Sequence, residues 1–576
     1  MIKSILKIYQ LCELKNSKLF IFIALMMFVT FFEILSLSII YPLVKVMMGE
    51  TNNEYINYLN QMSIFKKYPP ILILCAFLML SFIFKNIVSY LIRVWLAKFS
   101  WIALISLRKR VVTDYTKLEY ESFLEKGVVY VNSAINEYTR IIVQGLEASL
   151  RLIGEVLIFT LIITYLLFLN LEVTIILLFF VFIIALIYYL LTYKKVILQG
   201  KENQDGEKVL YSSSYFLFRG IKEIKILRKE NYLIDKLIYG AKKISNANIQ
   251  NQKIQLLPKY LLEVFFIIFG CIFIIIASEM NYDNSEIISL ISVYAFAALR
   301  LLPSVSQIGV CINDLNFAIS PTNLVYADIY TKKVNYSISS EENKKSNVVK
   351  FKHMNLEGIS FNYKNSEKKI LQNLNLDIKK NDFIGIIGQS GVGKSTLIDM
   401  ILGYLKPTIG KIKIIDENNK IIKSNEIMSY VAQEPIVIQG SISENIRLTE
   451  SLNIENDNKI KNAIKFAELE SFVNTLKDGT NTILGEGGIN LSIGQKQRLA
   501  LARSFYSQRE IMILDEPSSA LDQETQDNIF NNLNFLKGKK TIILITHNHR
   551  TLRYCDKIFS FNDKTLKPFI LDETIK

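Results

Sequence analysis

Gly388-Gln389-Ser390-Gly391-Val392-Gly393-Lys394-Ser395-Thr396 fills every specified position of the pattern G-x-x-x-x-G-K-[ST]. An apolar stretch before it, Phe383 to Ile387, reads as a short buried strand, and Thr396 to Leu405 after it reads as a helix. Strand, loop and helix in that order are what the pattern requires, because the glycines let the backbone turn its N–H groups onto phosphate oxygens at a helix N-terminus. In this reading Lys394 reaches the β- and γ-phosphates of a nucleotide and the Ser395 hydroxyl ligates Mg²⁺.

Two further stretches suit a nucleotide. Ile511-Met512-Ile513-Leu514-Asp515-Glu516 is an apolar strand ending in two carboxylates. Asp515 is expected to hold Mg²⁺ through its shell, and Glu516 to orient or deprotonate the attacking water. Leu491-Ser492-Ile493-Gly494-Gln495 opens a helix, in which Ser492 caps, Gln495 completes an S-x-x-Q box and Leu499 and Ala502 continue the apolar face.

In this order, phosphate loop, capped helix and acidic strand resemble the ATPase domain of an ABC transporter. That resemblance implies ATP and Mg²⁺ as ligands. It also implies a shared site, in which the helix opened by Ser492, Gly494 and Gln495 faces the γ-phosphate of ATP held by a partner subunit. The family's usual LSGGQ has glycine where this chain has Ile493, a departure that bears on closure of the site. Other positions match the family one by one. Tyr363 looks like the aromatic that stacks on adenine, Gln433 like the glutamine joining Mg²⁺ to the membrane domain, and His547 like the switch histidine. Thr482 to Gly488 resembles the loop that precedes the signature in exporters, and Ser519 to Asp522 the loop that follows the acidic strand. With Glu516, the resemblance makes His547 and Gln433 the expected catalytic residues.

Composition says what accompanies this domain. A chain of 576 residues is too long for one core. Half of its residues are hydrophobic and its mean hydropathy is +0.26, as a membrane half averaged with a soluble half would give. The 67 Lys and Arg against 53 Asp and Glu leave +14, a balance shared by nucleic-acid binders and by the cytoplasmic loops of membrane proteins. Five scattered cysteines without metal spacing read as unpaired thiols.

Apolar runs at about 19 to 44, 70 to 92, 150 to 169, 171 to 191, 256 to 278 and 286 to 311 are each long enough to cross a ~30 Å hydrocarbon layer. The loops near 170 and from 278 to 286 contain no Lys or Arg, whereas 93 to 149 and 192 to 254 are rich in both. The positive-inside rule therefore puts the N-terminus and both long loops in the cytoplasm, against which stand only Lys45, Lys66 and Lys67 after the first span. Helical periodicity continues through both long stretches, as if the spans projected beyond the membrane. A polar segment from 337 to 347 divides a transmembrane domain, 1 to 336, from an ABC nucleotide-binding domain, 348 to 576. The expected fold class is thus a membrane α-helical bundle of six transmembrane helices, ABC exporter type, followed by an α/β P-loop ATPase domain. It is expected in a cell (inner) membrane, multi-pass, with the N-terminus and ATPase domain cytoplasmic.

One ATPase domain with six spans makes a half-transporter, and because its own site motifs are complete, a homodimer is the simpler assembly. Charges inside spans cost ~2.5 to 3.5 kcal/mol each at a helix centre, which makes Glu33, Lys85, Glu155, Lys259, Glu263 and Arg300 functional candidates. The segments around several of them resemble the PglK-type flippases of lipid-linked oligosaccharides that serve protein glycosylation. That resemblance implies a polyprenyl-diphosphate-linked oligosaccharide as substrate, with Lys85, Lys259 and Arg300 facing its diphosphate. Counting along the spans puts these three cations in the inner half of the bilayer with Glu155 and Glu263, and Glu33 higher. A peptide or drug exporter would share every ATPase motif and is the alternative. A soluble ABC ATPase acting on nucleic acid is excluded by the six spans, so no nucleic-acid partner is expected.

Overall fold

A computed structural model gives the fold and describes residues 2–14, 16–48, 69–279, 284–331, 350–363, 368–389, 391–448, 457–485 and 488–570. Ser390 of the phosphate loop, Lys66, Lys67, Glu486, Gly487 and the polar segment 337 to 347 lie outside the described residues. The chain divides into two compact units, Met1–Leu118 with Ser122–Ser339, and Glu119–Glu121 with Ser340–Lys576.

The first unit is helical. Among the described residues, six helices are long and apolar enough to cross a membrane: Asn16–Met47, Pro70–Thr116, Tyr120–Leu169, Leu171–Arg219, Glu230–Ile272 and Ile288–Tyr330. Each overlaps one of the apolar runs read from the sequence. At 1.5 Å per residue the 49-residue helix Leu171–Arg219 is about 73 Å long, more than twice a ~30 Å hydrocarbon layer, so the basic stretches continue the spans as helix. The third and fourth spans are separated by Asn170 alone, an extended residue whose side chain accepts from the backbone N–H of Val173 at 3.1 Å and starts the new helix.

The second unit is an α/β domain built on strands β1 (Phe351–Phe361), β2 (Leu371–Lys379), β3 (Phe383–Ile387), β4 (Ile409–Asp416), β5 (Met428–Val431), β6 (Gly440–Ser441), β7 (Ile483–Leu484), β8 (Ile511–Asp515), β9 (Thr541–Thr546), β10 (Lys557–Asn562) and β11 (Thr565–Pro568). An antiparallel sheet in the order β2-β1-β4 buries every second or third residue of β1 and β2, as half-buried strands do. A six-stranded sheet runs β11-β10-β3-β9-β8-β5. Its central strands β3, β9 and β8 are buried at every residue, because parallel strands are covered on both faces, and that is why they are continuous apolar runs in the sequence. One face packs Ile511, Ile513, Ile543 and Ile545 against Leu397, Ile398 and Ile401 of the helix after the phosphate loop. The other packs Met512, Leu514, Ile542 and Leu544 against Leu499 and Leu501 of helix Ile493–Tyr506.

The helix expected over Thr396 to Leu405 runs Lys394–Ile401 instead. It begins at the lysine because Gly393, at φ +114, is its N-cap, and it stops early because Gly403, at φ +79, takes the left-handed turn that ends helices. All five cysteines are free thiols.

Candidate functional site

Strands β3, β9, β8 and β5 are parallel neighbours, so their carboxyl ends lie side by side along one edge of the sheet. The segments leaving those ends bring together residues far apart in sequence: Gly388 to Lys394 after β3, His547 after β9, Asp515 and Glu516 at β8, and Gln433 after β5. A crevice at the carboxyl edge of a parallel sheet is where such folds bind ligands.

The phosphate loop has backbone demands only glycine meets. Gly391 and Gly393 sit at φ +80 and +114, and a Cβ on Gly388 would come within 3.0 Å of Phe561. Gln389 and Ser395 are exposed, Val392 is half-buried and Thr396 is buried in the helix. Lys394 arches back over the loop, its ammonium donating to the carbonyls of Gly388 at 2.5 Å and Gln389 at 3.1 Å. Tyr363 lies edge-on to Phe361 with its hydroxyl 3.4 Å from Thr396 Oγ1, beside the first turn of this helix.

Glu516 is gripped from two sides. Gln433 Nε2 donates to its Oε2 at 3.0 Å, and His547 Nδ1 lies 3.2 Å from its Oε1. Its backbone is left-handed, φ +49, and its N–H donates to the carbonyl of Ile545 on β9 at 2.9 Å, so a strained turn points the carboxylate out of the strand. Asp515 is buried, and burial pushes its carboxyl above the usual range; the Tyr430 hydroxyl opposes this, Glu516 adds to it and Lys394 opposes it. Asp399, on the helix after the loop, is pushed up to about 6 by burial and by the charge of Asp515. Hard oxygens at Ser395 and Asp515 are the donors Mg²⁺ takes, and the buried Asp515 has no ion pair with a basic side chain among the described residues.

Helix Ile493–Tyr506 opens as its sequence predicts. Ser492 accepts from the backbone N–H of Gln495 at 3.2 Å, and Gln495 Oε1 accepts from that of Ser492 at 2.8 Å. Sequence reasoning missed Gln497. It is buried, donates to Ser519 Oγ at 2.9 Å and accepts from the Ala520 N–H at 3.3 Å, and so pins the segment after Glu516 to this helix. Only its place five residues after Ser492 could have pointed to it.

In the membrane unit, the Glu33 carboxylate is 2.9 Å from the Lys85 ammonium and 2.6 Å from Arg300 Nε. Both cations meet the same oxygen; Arg300 Nε makes a charge contact there without a hydrogen bond, and Glu33 Oε2 has no hydrogen-bond partner among the described residues. This corrects the placement of Glu33 above the cations. Contact with both cations puts the Glu33 carboxylate at their depth. Glu33 is about 14 residues from Met47 and Lys85 about 15 from Pro70, each ~21 to 23 Å along its helix. Of the two glutamates placed at the cations' depth, Glu263 pairs with Lys259 one turn away at 3.9 Å, and Glu155 accepts from Ser304 at 2.7 Å. Arg300 also lines a cavity of about 270 Å³ with Arg93, Arg151, Glu147, Glu155 and Gln307 against the apolar Phe22, Met26 and Val29. Neither Lys85 nor Lys259 lines it.

Removing a partner from a buried pair leaves an uncompensated charge, at a cost of about 3–5 kcal/mol. Glu33→Ala is therefore expected to lower the thermal midpoint in detergent strongly, and Glu33→Ala combined with Lys85→Ala to recover part of it. An unchanged midpoint in the single variant would show that the pair contributes nothing to folding.

Residues 371–519 match the family whose model is described as "ABC transporter". A solved structure, that of a bacterial Atm1-family ABC exporter with ATP bound, superposes on 96% of this chain and 94% of its own at a TM-score of 0.75 and 18% identity. The fold is that of an ABC exporter. Among curated relatives, the chain is 34% identical over 272 residues to the multidrug resistance-like ATP-binding protein MdlB of Buchnera aphidicola, a match covering 46% of this chain and 45% of that one. It is 38% identical over 204 residues to the leukotoxin translocation ATP-binding protein LktB of Mannheimia glucosida, covering 35% of this chain and 28% of that one. The chain thus spans less than half the length of these relatives.

In an exporter fold the departure at Ile493 has a physical reading. A Cβ on Gly494 would lie 2.8 Å from the Ala520 carbonyl and 3.0 Å from Leu521, whereas Ile493 is two-thirds exposed. Glycine is thus required for packing at the fourth signature position and dispensable at the third. Gly494→Ala is expected to destabilise the domain by ~1–3 kcal/mol, the usual cost of overpacking, and Ile493→Gly to shift its unfolding by less than about 1 kcal/mol. Equal effects in a denaturation series would contradict this division.

Proposed function

We propose that the chain is an ATP hydrolase coupled to transport, one subunit of a homodimeric translocase in a cell (inner) membrane with its N-terminus and ATPase domain cytoplasmic. The observation that carries this reading is the grip of Gln433 and His547 on the two oxygens of Glu516 beside the phosphate loop. Lys394 and the backbone N–H groups of the 388–396 loop take the phosphates of ATP, and Tyr363 its adenine. Ser395, Asp515 and Gln433 are the residues to hold Mg²⁺, which when bound neutralises charge developing on the β- and γ-oxygens. Glu516 orients the attacking water and accepts its proton, and the contacts from Gln433 and His547 fix its carboxylate. Ser492, Gly494 and Gln495 complete the site of the partner copy, whose ATP faces their helix N-terminus.

The cargo in this reading is a polyprenyl-diphosphate-linked oligosaccharide, flipped from the cytoplasmic to the outer leaflet. Its support is the resemblance of the membrane segments together with three arginines in the lining of the cavity, of which Arg151 and Arg300 also pair with Glu147 and Glu33. Guanidinium forks suit a diphosphate. Of the three cations first singled out, Arg300 is the one on that cavity. Lys85 is held by Glu33, and the half-exposed Lys259 pairs with Glu263. The second reading, a drug or peptide exporter, is favoured by the names of the relatives, one multidrug resistance-like and one concerned with leukotoxin translocation.

The deciding experiment measures ATP hydrolysis by the chain reconstituted in lipid. A polyprenyl-diphosphate sugar is expected to stimulate it several-fold, with peptides leaving it at the basal rate. Stimulation by peptides or apolar drugs alone would replace the first reading with the second.

A further inference from the structure

We propose that Tyr430 is a positioning residue for Asp515, its hydroxyl holding the carboxylate in the orientation in which the other oxygen is left for Mg²⁺. This rests on the ATPase reading of the site and assigns a role to a residue, three places before Gln433, to which the sequence reading gave none.

Strand register provides the first support. In the parallel pair β5–β8, Tyr430 is level with Ile513, two residues before Asp515. Residues two apart on a strand share a face, so Ile511, Ile513 and Asp515 lie on the face that packs against the helix after the phosphate loop. Tyr430 is on that face as well, because Ser429, its neighbour, points the opposite way and bonds Ser504 of helix Ile493–Tyr506 at 2.7 Å. A tyrosine spans the diagonal step from one strand to the next residue on the same face of its neighbour, which a shorter side chain does not. Its hydroxyl lies 3.3 Å from Asp515 Oδ2 and donates to it.

The second support is what else surrounds the carboxylate. Among the described residues, Tyr430 provides the side-chain hydrogen bond recorded on Asp515, and no Lys or Arg forms an ion pair with it. Glu516 and Asp399 bring like charges near it and Lys394 an opposite one. One neutral donor fixes the direction of a buried carboxylate without competing for the metal as a cation would.

The test uses the full chain in lipid, with Mn²⁺ in place of Mg²⁺ as a spectroscopic reporter and a non-hydrolysable ATP analogue bound. Tyr430→Phe keeps the ring and removes the hydroxyl. It is expected to weaken Mn²⁺ binding about 3- to 10-fold while leaving analogue affinity in EDTA and the thermal midpoint at their wild-type values. A wild type that responds to Mn²⁺ and a Tyr430→Phe variant that matches it would overturn the role of Tyr430 alone. So would a loss of metal affinity that merely follows a fall in thermal midpoint and in EDTA affinity, since a packing role predicts that pattern. A wild type whose analogue binding ignores the metal would overturn this proposal and the ATPase reading together.

Discussion

Glu516→Gln is expected to retain ATP and lose turnover by roughly 10²- to 10⁴-fold, the usual contribution of a positioned general base. Its side chain is the carboxylate at this sheet edge held by both Gln433 and His547, while Asp515, one residue earlier, is buried in the strand end and turned to Tyr430. The amide is nearly isosteric and can still meet both neighbours, so the loss should fall on the chemical step and leave binding intact. With hydrolysis blocked, the nucleotide-bound dimer should accumulate, visible as a slower-dissociating complex with radiolabelled ATP. Turnover near the wild-type rate would move the base elsewhere.

Lys394→Ala is expected to act on binding instead. The ammonium sits over the loop on the carbonyls of Gly388 and Gln389, and its removal takes away the one cation the loop provides to the terminal phosphates. Charge-assisted hydrogen bonds are worth ~1.5–3 kcal/mol each, so affinity should fall by roughly 10- to 150-fold or more if two are lost. Equilibrium binding of a fluorescent ATP analogue checks this. The contrast between the two variants matters more than either size: one loses chemistry with binding kept, the other loses binding. Equal affinity losses in both would deny Glu516 and Lys394 their separate roles.

Much of the ATP site could be read from the sequence because it is local. The spacing Gly388 to Lys394, the all-apolar runs of β3 and β8 and the Ser492–Gln495 box are each contained within about ten residues, and the two strands and the box form as read. What brings them together is strand order. That β9 lies between β3 and β8, placing His547 against Glu516, follows from no local pattern; family resemblance singled out His547 without this contact. Tyr430 and Gln497 escaped notice for the same reason, since their partners are 85 and 22 residues away. In the membrane unit, composition revealed six spans but could not say which charges meet. Glu33 and Lys85 are 52 residues apart on two antiparallel helices, and an error of a few residues in where a span begins is enough to separate them in depth.

The shared nucleotide site is tested most directly by mixing Ser492→Ala subunits with Lys394→Ala subunits. Each variant alone spoils both sites of a homodimer. In a mixed dimer the intact Lys394 of one copy meets the intact Ser492 of the other, so one of the two sites is whole, while the second carries both lesions. Nucleotide trapping with vanadate is expected to be absent in either variant alone and to appear on mixing, at one nucleotide per mixed dimer. If each chain instead uses its own Ser492 and Lys394, every site in the mixture carries a lesion, and no trapping at any mixing ratio would contradict the shared site.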